Sequence, residues 1–166
     1  MPELTLRPAV PEDAPILAHI QTETWNAAFG GILSPEALAQ ATQLEEAQAM
    51  HVYVLEHQLA HVSLQCVDGV PQGMTAWSEN RDHLGTEVAE LICIHSLPQF
   101  WGHGYGSHMI QHVLEEAKHA GYVRLVLWVF EANERARRFY ETHGFHLTDR
   151  KQQNLGATEV MYEITL

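Results

Sequence analysis

The chain has 166 residues, of which 46% are hydrophobic and 18% charged, and its formal net charge is -12. This length suits one domain with a substantial core, over residues 1–166. The negative charge repels nucleic-acid phosphates and favours cationic partners, and the longest apolar run, at 125–130, is too short to cross a membrane. Since the first residues lack a basic segment followed by an apolar one, we expect no signal peptide and a cytoplasmic location.

The first third of the chain predicts one strand and three helices. Residues 4–10 alternate apolar and polar side chains as a strand does, and a proline and two acidic residues then introduce a helix over 14–29. A serine followed by a proline begins a short helix over 34–41. A third helix is expected from about residue 42 to residue 57, where apolar residues share one face.

The rest of the chain predicts six strands and two helices. Three apolar runs, at 59–67, 71–78 and 87–97, predict strands, and the Asp68-Gly69 pair between the first two is a hairpin signal. A helix, a fully apolar strand, a second helix and two final strands follow; their expected ranges are 107–120, 123–130, 133–143, 145–153 and 157–166. This order predicts a mixed, largely antiparallel sheet with a central β-α-β crossover.

Three glycines at alternate positions, Gly102, Gly104 and Gly106, lie between a predicted strand and a predicted helix. Free backbone N–H groups at the start of a helix bind anions, and missing side chains let phosphate oxygens approach. A P-loop is excluded because it requires a lysine directly after the glycines. A dinucleotide fingerprint would need glycine or alanine in place of Ser107, with Glu131 as the ribose-binding acid; that pattern and a plain tight turn remain alternatives.

A second motif, NERARRFYETHGF at 133–145, follows the glycine segment PQFWGHGYGS at 98–107 after one further strand. The two motifs in this order resemble the GNAT superfamily of N-acetyltransferases, and the resemblance covers nearly the whole chain. It implies an α/β (α+β) fold with a mixed, mostly antiparallel sheet of about six or seven strands. About four or five helices would flank this sheet, which would be splayed between its fourth and fifth strands. Acetyl-coenzyme A is the implied co-substrate, without a metal.

The resemblance also implies which residues hold the coenzyme. The loop backbone would bind the diphosphate, through Gly102, His103, Gly104, Tyr105, Gly106 and Ser107. The family opens this loop with Gln or Arg, where this chain has Trp101, but the backbone cradle remains. Ile94, His95 and Ser96 match the segment whose backbone pairs with pantetheine, although the family commonly has an apolar residue at the last position. Asn133 matches a residue that hydrogen-bonds the pantetheine arm, and a helix N-cap is its alternative role.

Acetyl transfer to an amine needs an acid for the leaving thiolate and a base for the ammonium group. Tyr140 stands where the family places its thiolate-protonating tyrosine, and a buried structural tyrosine is the alternative. Glu90 matches a glutamate that histone-modifying members use as the base, and an exposed strand carboxylate is the alternative. Glu131 is the second candidate for the base.

The acceptor is expected to be a cationic amine, with a small molecule favoured over a protein lysine or N-terminus. In the family its specificity comes from the first two helices and their connection, here from Trp25 and Phe29 through Leu33, whose aromatic rings either enclose the amine or pack in the core. The resemblance predicts direct transfer in a ternary complex. A non-catalytic acyl-coenzyme A sensor is the alternative function, and a homodimer through the sheet edges is a further expectation.

Two smaller features carry weaker expectations. Cys66 and Cys93 lie 27 residues apart in apolar surroundings, which predicts two reduced thiols. His108 and His112 are four residues apart on a predicted helix, but no third metal ligand accompanies them, so we predict no metal site.

Overall fold

The computed structural model describes residues 1–166 and contains one seven-stranded sheet flanked by five α-helices. The strands are β1 Leu4–Pro8, β2 His61–Val67, β3 Val70–Glu79, β4 Val88–Ser96, β5 Arg124–Phe130, β6 His146–Asn154 and β7 Ala157–Thr165. The helices are α1 Ala14–Phe29, α2 Pro35–Ala41, α3 Leu44–Glu56, α4 Tyr105–His119 and α5 Glu134–Thr142. No helix combines the length and apolar character that a membrane crossing requires. The predicted mixed fold is confirmed.

The sheet order is β1-β2-β3-β4-β5-β7-β6, and β4 and β5 form its one parallel pair. Their pairing runs from Val88 opposite Arg124 to Leu91 opposite Leu127 and then stops. At this point β4 bulges at Ile92, because Ala76 of β3 faces Cys93 whereas the adjacent Trp77 faces Leu91. The rest of β4 therefore diverges from β5, which confirms the predicted splay and leaves strand backbone free to meet a ligand.

Two apolar cores lie on opposite faces of the sheet. Helices α4 and α5 cover the larger one, which contains Trp77, Ile110 and Tyr162. Helix α1 covers the other, where Leu17 and Met74 are fully buried. Burying each such side chain contributes about 1.5–3 kcal/mol, so the helices are held firmly against the strands that line the splay.

Two local predictions have different outcomes. The hairpin at Asp68-Gly69 is confirmed, since both residues have positive φ, 49° and 79°, as a tight turn between twisted strands requires. Helix α4 begins at Tyr105, two residues before the expected start, with Gly104 as its N-cap at φ 81°. The left-handed backbone conformation ends at Gly104. Gly106, the third glycine of the loop, therefore lies within the helix.

Candidate active site

The splay between β4 and β5 opens into a cavity of about 500 Å³, here called the cleft. It brings together ten of the predicted site residues: Ile94, His95, Ser96, Gly102, Gly104, Tyr105, Gly106, Ser107, Asn133 and Tyr140. Three do not line it, namely His103, Glu90 and Glu131. The two sequence motifs therefore meet at one site.

The three glycines of the loop serve two physical purposes. Gly102 and Gly104 have φ of 79° and 81°, the left-handed region that side chains disfavour, and nothing lies within 4 Å of where their Cβ atoms would stand. Gly106 is helical, but a Cβ there would lie 3.0 Å from Cε1 of Phe139 in α5. The first two glycines thus shape the turn that exposes backbone N–H groups, and the third lets α5 approach α4.

The cleft is electropositive although the protein is acidic. No Asp or Glu lines it, and its one charged lining residue is Arg135. The Arg135 guanidinium carbon lies 3.8 Å from the centroid of the Trp101 ring, a cation-π arrangement, and it has no ion-pair partner. The positive end of α4 opens onto the same space. This combination suits a polyanionic ligand.

Trp101, which stands where the family has Gln or Arg, ties the loop to the end of β4. Its Nε1 donates to the Ser96 carbonyl at 2.8 Å, and the Thr24 hydroxyl donates to the same oxygen at 3.0 Å. The Ser96 hydroxyl accepts from Nε2 of Gln72, a fully buried side chain, at 2.6 Å. A serine at this position therefore satisfies a buried polar neighbour. The ring of His103 is held by the backbone carbonyls at 100 and 101, away from the cleft.

Tyr140 presents a buried phenol to the cleft. The residue is 8% exposed, and its ring packs against those of Phe139, Phe145 and Tyr162. Its hydroxyl makes no hydrogen bond with another protein group, although it lies at a cavity wall. Burial raises the pKa of Tyr140, so the phenol keeps its proton at neutral pH and remains a donor.

Asn133 caps α5 and also lines the cleft. Its Oδ1 accepts from the Ala136 amide at 3.2 Å, which confirms the N-cap alternative. Its side-chain nitrogen has no protein partner and remains available as a donor. The cap fixes the side chain in place, so capping and ligand binding are compatible roles.

Neither candidate carboxylate lies in the cleft. Glu90 is 1% exposed and accepts three hydrogen bonds from Arg81, through the amide at 3.1 Å, Nε at 3.2 Å and Nη2 at 2.6 Å. The alternative that Glu90 is an exposed strand carboxylate is therefore wrong. Glu131 is paired with Lys151 at 2.7 Å, and this contact lowers the pKa of Glu131.

A second cavity of about 760 Å³, here called the side pocket, lies between α1, α3 and the face of β2, β3 and β4. His95 is the one residue that lines both the side pocket and the cleft. Nε1 of Trp25 donates to Nε2 of His95 across 3.4 Å. Of the predicted acceptor residues, Trp25 lines the side pocket, Phe29 lines the cleft, and Leu33 lines neither and is buried.

The cleft lining contains neither cysteine and neither of the two histidines weighed as metal ligands, His108 and His112. Cys66 and Cys93 are free, as predicted, and burial raises the pKa of the Cys93 thiol to about 12. Nδ1 of His108 is hydrogen-bonded to Gln65, and Nε2 of His112 lies 3.0 Å from a Glu116 oxygen. Each of these two histidine rings therefore contacts a neighbouring side chain, Gln65 for His108 and Glu116 for His112.

The family of this chain is shown by a match to a family model. The model described as the Acetyltransferase (GNAT) family matches residues 18–145. The chain belongs to the GNAT family. It is therefore an acyltransferase, and the resemblance first found in two motifs holds for most of the chain.

Individual relatives of this GNAT acetyltransferase agree in fold. An uncharacterized N-acetyltransferase of Mycobacterium tuberculosis is 28% identical over 147 residues, covering 87% of this chain and 90% of the relative. The PaiA N-acetyltransferase of Thermoplasma acidophilum, solved in complex with coenzyme A, has a TM-score of 0.79 at 18% identity and covers 99% of both chains. The yncA protein of Salmonella typhimurium, solved with its cofactor acetyl-CoA, has a TM-score of 0.76 at 17% identity, covering 98% of this chain and 93% of that one. At these identities the structures establish the shared fold.

Sequence reasoning missed some lining residues of the GNAT cleft. Arg135 and Phe139 lie within the second motif, two and six residues after Asn133. Their position in the first turns of the helix that follows Asn133 is the sequence signal that could have identified them. Thr24 carried no such signal, because it comes from α1 and reaches the site only through the tertiary fold.

Proposed function

We propose that this chain transfers an acetyl group from acetyl-coenzyme A to a primary amine by direct transfer in a ternary complex. The observation that best supports this function is the lining of the cleft. A helix N-terminus, an unpaired arginine and a buried tyrosine line this one cavity, and no carboxylate does. An anionic, elongated ligand with a reactive end suits this arrangement.

We assign the diphosphate and the pantetheine arm of the coenzyme to residues of the cleft. The amides from Gly102 to Ser107 would hold the diphosphate at the start of α4. Trp101 stands where the family has Gln or Arg. Arg135, which is stacked on Trp101, would supply positive charge at this end of the loop. Pantetheine would run along β4 at Ile94, which pairs with β3 but no longer with β5, and meet the free amide nitrogen of Asn133.

The reaction forms one C–N bond and breaks one C–S bond. The amine nitrogen attacks the thioester carbonyl, the thiolate leaves and takes the Tyr140 proton, and the amine proton passes to a base. An alkylammonium with a pKa near 10.4 costs about 4 to 5 kcal/mol to deprotonate at pH 7, so the site must favour its neutral form. A positioned acid contributes roughly 10² to 10⁴ in rate, which is the role proposed for Tyr140.

We propose Glu90 as the base that accepts the proton of the amine. Arg81 donates three hydrogen bonds to the Glu90 carboxylate, and Arg81 itself lines the side pocket. Glu90→Gln should therefore lower turnover tenfold or more at a temperature where the variant is folded. Because the substitution leaves Arg81, whose side chain is 63% exposed, without its anionic partner, thermal unfolding must be measured alongside. Lower stability with unchanged turnover would leave Glu90 only the role of holding Arg81.

The deciding experiment combines calorimetry with a thiol assay. Titration with acetyl-, propionyl- and succinyl-coenzyme A should show binding, and addition of a panel of primary amines should release free thiol. No binding of any acyl-coenzyme A would refute the proposal. Tight binding without thiol release for any amine would favour the sensor function instead.

A further inference from the structure

We propose that the side pocket is the acceptor site and that it selects a monoamine with an apolar, aromatic body over a polyamine. This inference rests on the proposed N-acetyltransferase function and gives the acceptor a chemical class. Three properties of the side pocket carry it: the lining residue it shares with the cleft, its apolar walls, and a charge set in which the one carboxylate without a cationic partner, Glu79, is exposed.

The two cavities share one lining residue, His95. His95 lies on β4 beyond the point where β4 leaves β5, and it lines both spaces. A thioester held in the cleft and an amine held in the side pocket would therefore meet at His95. The side pocket, at about 760 Å³, has the volume of sites that hold small organic molecules.

The walls of the side pocket are largely apolar, and some remain exposed. Trp25, Val54 and Ile92 line it from α1, α3 and β4. Met50 and Leu59, which also line it, are 42% and 53% exposed. Large apolar side chains exposed around a concave site indicate an apolar ligand, and the Trp25 ring and Met50 sulfur both suit an aromatic one.

The side pocket offers a polyamine only one carboxylate without a cationic partner, and that carboxylate is exposed. The charged lining residues of the pocket are Glu79 and Arg81, and the latter is offset by Glu90. A second ammonium group taken out of water would need a carboxylate of its own, and Glu79, the one lining carboxylate without a cationic partner, is exposed to solvent. His51 and His95 also line it, and burial lowers the pKa of each to about 4, so both rings are neutral at pH 7.

The amine end of the ligand has a defined partner. Nε2 of His95 accepts only the 3.4 Å contact from Trp25, which lies at the long limit of a hydrogen bond. A neutral amine would donate one N–H to this nitrogen and keep its lone pair for the thioester. His51 is held by Gln21 at 2.6 Å, so it is already partnered.

The test compares 2-phenylethylamine with putrescine and spermidine on the full chain. Thiol release gives kcat/KM for each amine, and calorimetry measures 2-phenylethylamine binding to the coenzyme A-saturated protein. We expect kcat/KM for 2-phenylethylamine to exceed both polyamine values by about tenfold or more, the effect of burying roughly two methylene groups. Equal or better use of a polyamine, use of lysine peptides only, or neither binding nor acetylation of 2-phenylethylamine overturns the inference. If acetyl-coenzyme A still binds and amines are still acetylated, the proposed function survives; absence of acetyl-coenzyme A binding overturns both.

Two charge variants on α3 sharpen the test. Met50→Glu places a carboxylate in the side pocket, so kcat/KM should fall about tenfold for 2-phenylethylamine and rise for putrescine. Tyr53→Glu is the control, because Tyr53 is on the same helix and 57% exposed but does not line the side pocket. If both variants change the two amines alike, the side pocket does not hold the acceptor.

Discussion

The cleft and the side pocket share one lining residue, His95, yet they are built differently. The cleft is lined mainly by two continuous segments, the loop and first turns around 94–109 and the second motif from Asn133 to Tyr140. The side pocket takes its walls from α1, α3, β2, β3 and β4 together. The cleft depends largely on backbone groups, glycine conformations and helix ends, whereas the side pocket depends on side chains.

This difference separates the coenzyme site, which the shared fold determines, from the amine site, which can vary between members of the family. Backbone N–H groups at a helix start bind phosphate whatever the neighbouring side chains are, so we expect phosphate binding in the cleft to persist with Trp101 in place of Gln or Arg. Apolar walls instead change their ligand preference with single substitutions. Variants in the cleft should therefore affect binding of the coenzyme and the chemical step, and variants in the side pocket should affect the choice of amine.

The largest expected effect tests whether chemistry belongs to the cleft. Tyr140→Phe removes the proposed proton donor and keeps the packing against Phe139 and Phe145, so turnover should fall about 100-fold. The calorimetric Kd for acetyl-coenzyme A should stay within about twofold, because the donor acts on the leaving thiolate. Unchanged turnover in the thiol assay would remove Tyr140 from the acid role.

The next effect tests the neutral state of the side pocket. Burial lowers the pKa of His95 to about 4, against about 6.5 in an unfolded chain. Between these values the unfolded state binds more protons, so stability is retained above pH 6.5 and lost as pH falls toward 4. His95 should account for about 2 kcal/mol of the stability lost between pH 8 and pH 5. The free energy of unfolding of His95→Gln, measured in urea, should fall by about 2 kcal/mol less over the same interval; a pH dependence identical to that of the parent would show that folding does not lower the pKa of His95.

The same contrast explains how far sequence reasoning reached. Alternation of apolar residues and glycine or Asx punctuation predicted the strand and helix order, and two motifs predicted ten of the cleft residues. Pairing of Glu90 with Arg81 was not predicted, because it depends on how the chain after β3 folds back onto β4. The bridging position of His95 depends on the β4 bulge, which shifts side chains between sheet faces and has no local signature.

A matched pair of glycine variants tests whether the cleft binds through its backbone. Gly104 and Gly121 have φ of 81° and 98°, and nothing lies within 4 Å of either missing Cβ. Replacing either by alanine should cost about 1 kcal/mol of stability, since left-handed backbone disfavours a side chain. Only Gly104→Ala should also weaken acetyl-coenzyme A binding, by about fivefold to tenfold, because it distorts the loop at the start of α4. Equal Kd values for the two variants would place the diphosphate elsewhere.

The smallest expected effect concerns the one cation of the cleft. Arg135→Gln removes the guanidinium stacked on Trp101, and Arg138→Gln removes one from the same helix that is exposed and lies outside the cleft lining. A partly solvated charge contact with a phosphate contributes about 1 kcal/mol, so the first variant should raise the Kd for acetyl-coenzyme A about threefold to fivefold and the second should not. The difference should shrink at high salt, since screening weakens an exposed charge pair. If both variants bind equally well, the backbone cradle alone holds the coenzyme, and Trp101 serves only to tie the loop to Ser96.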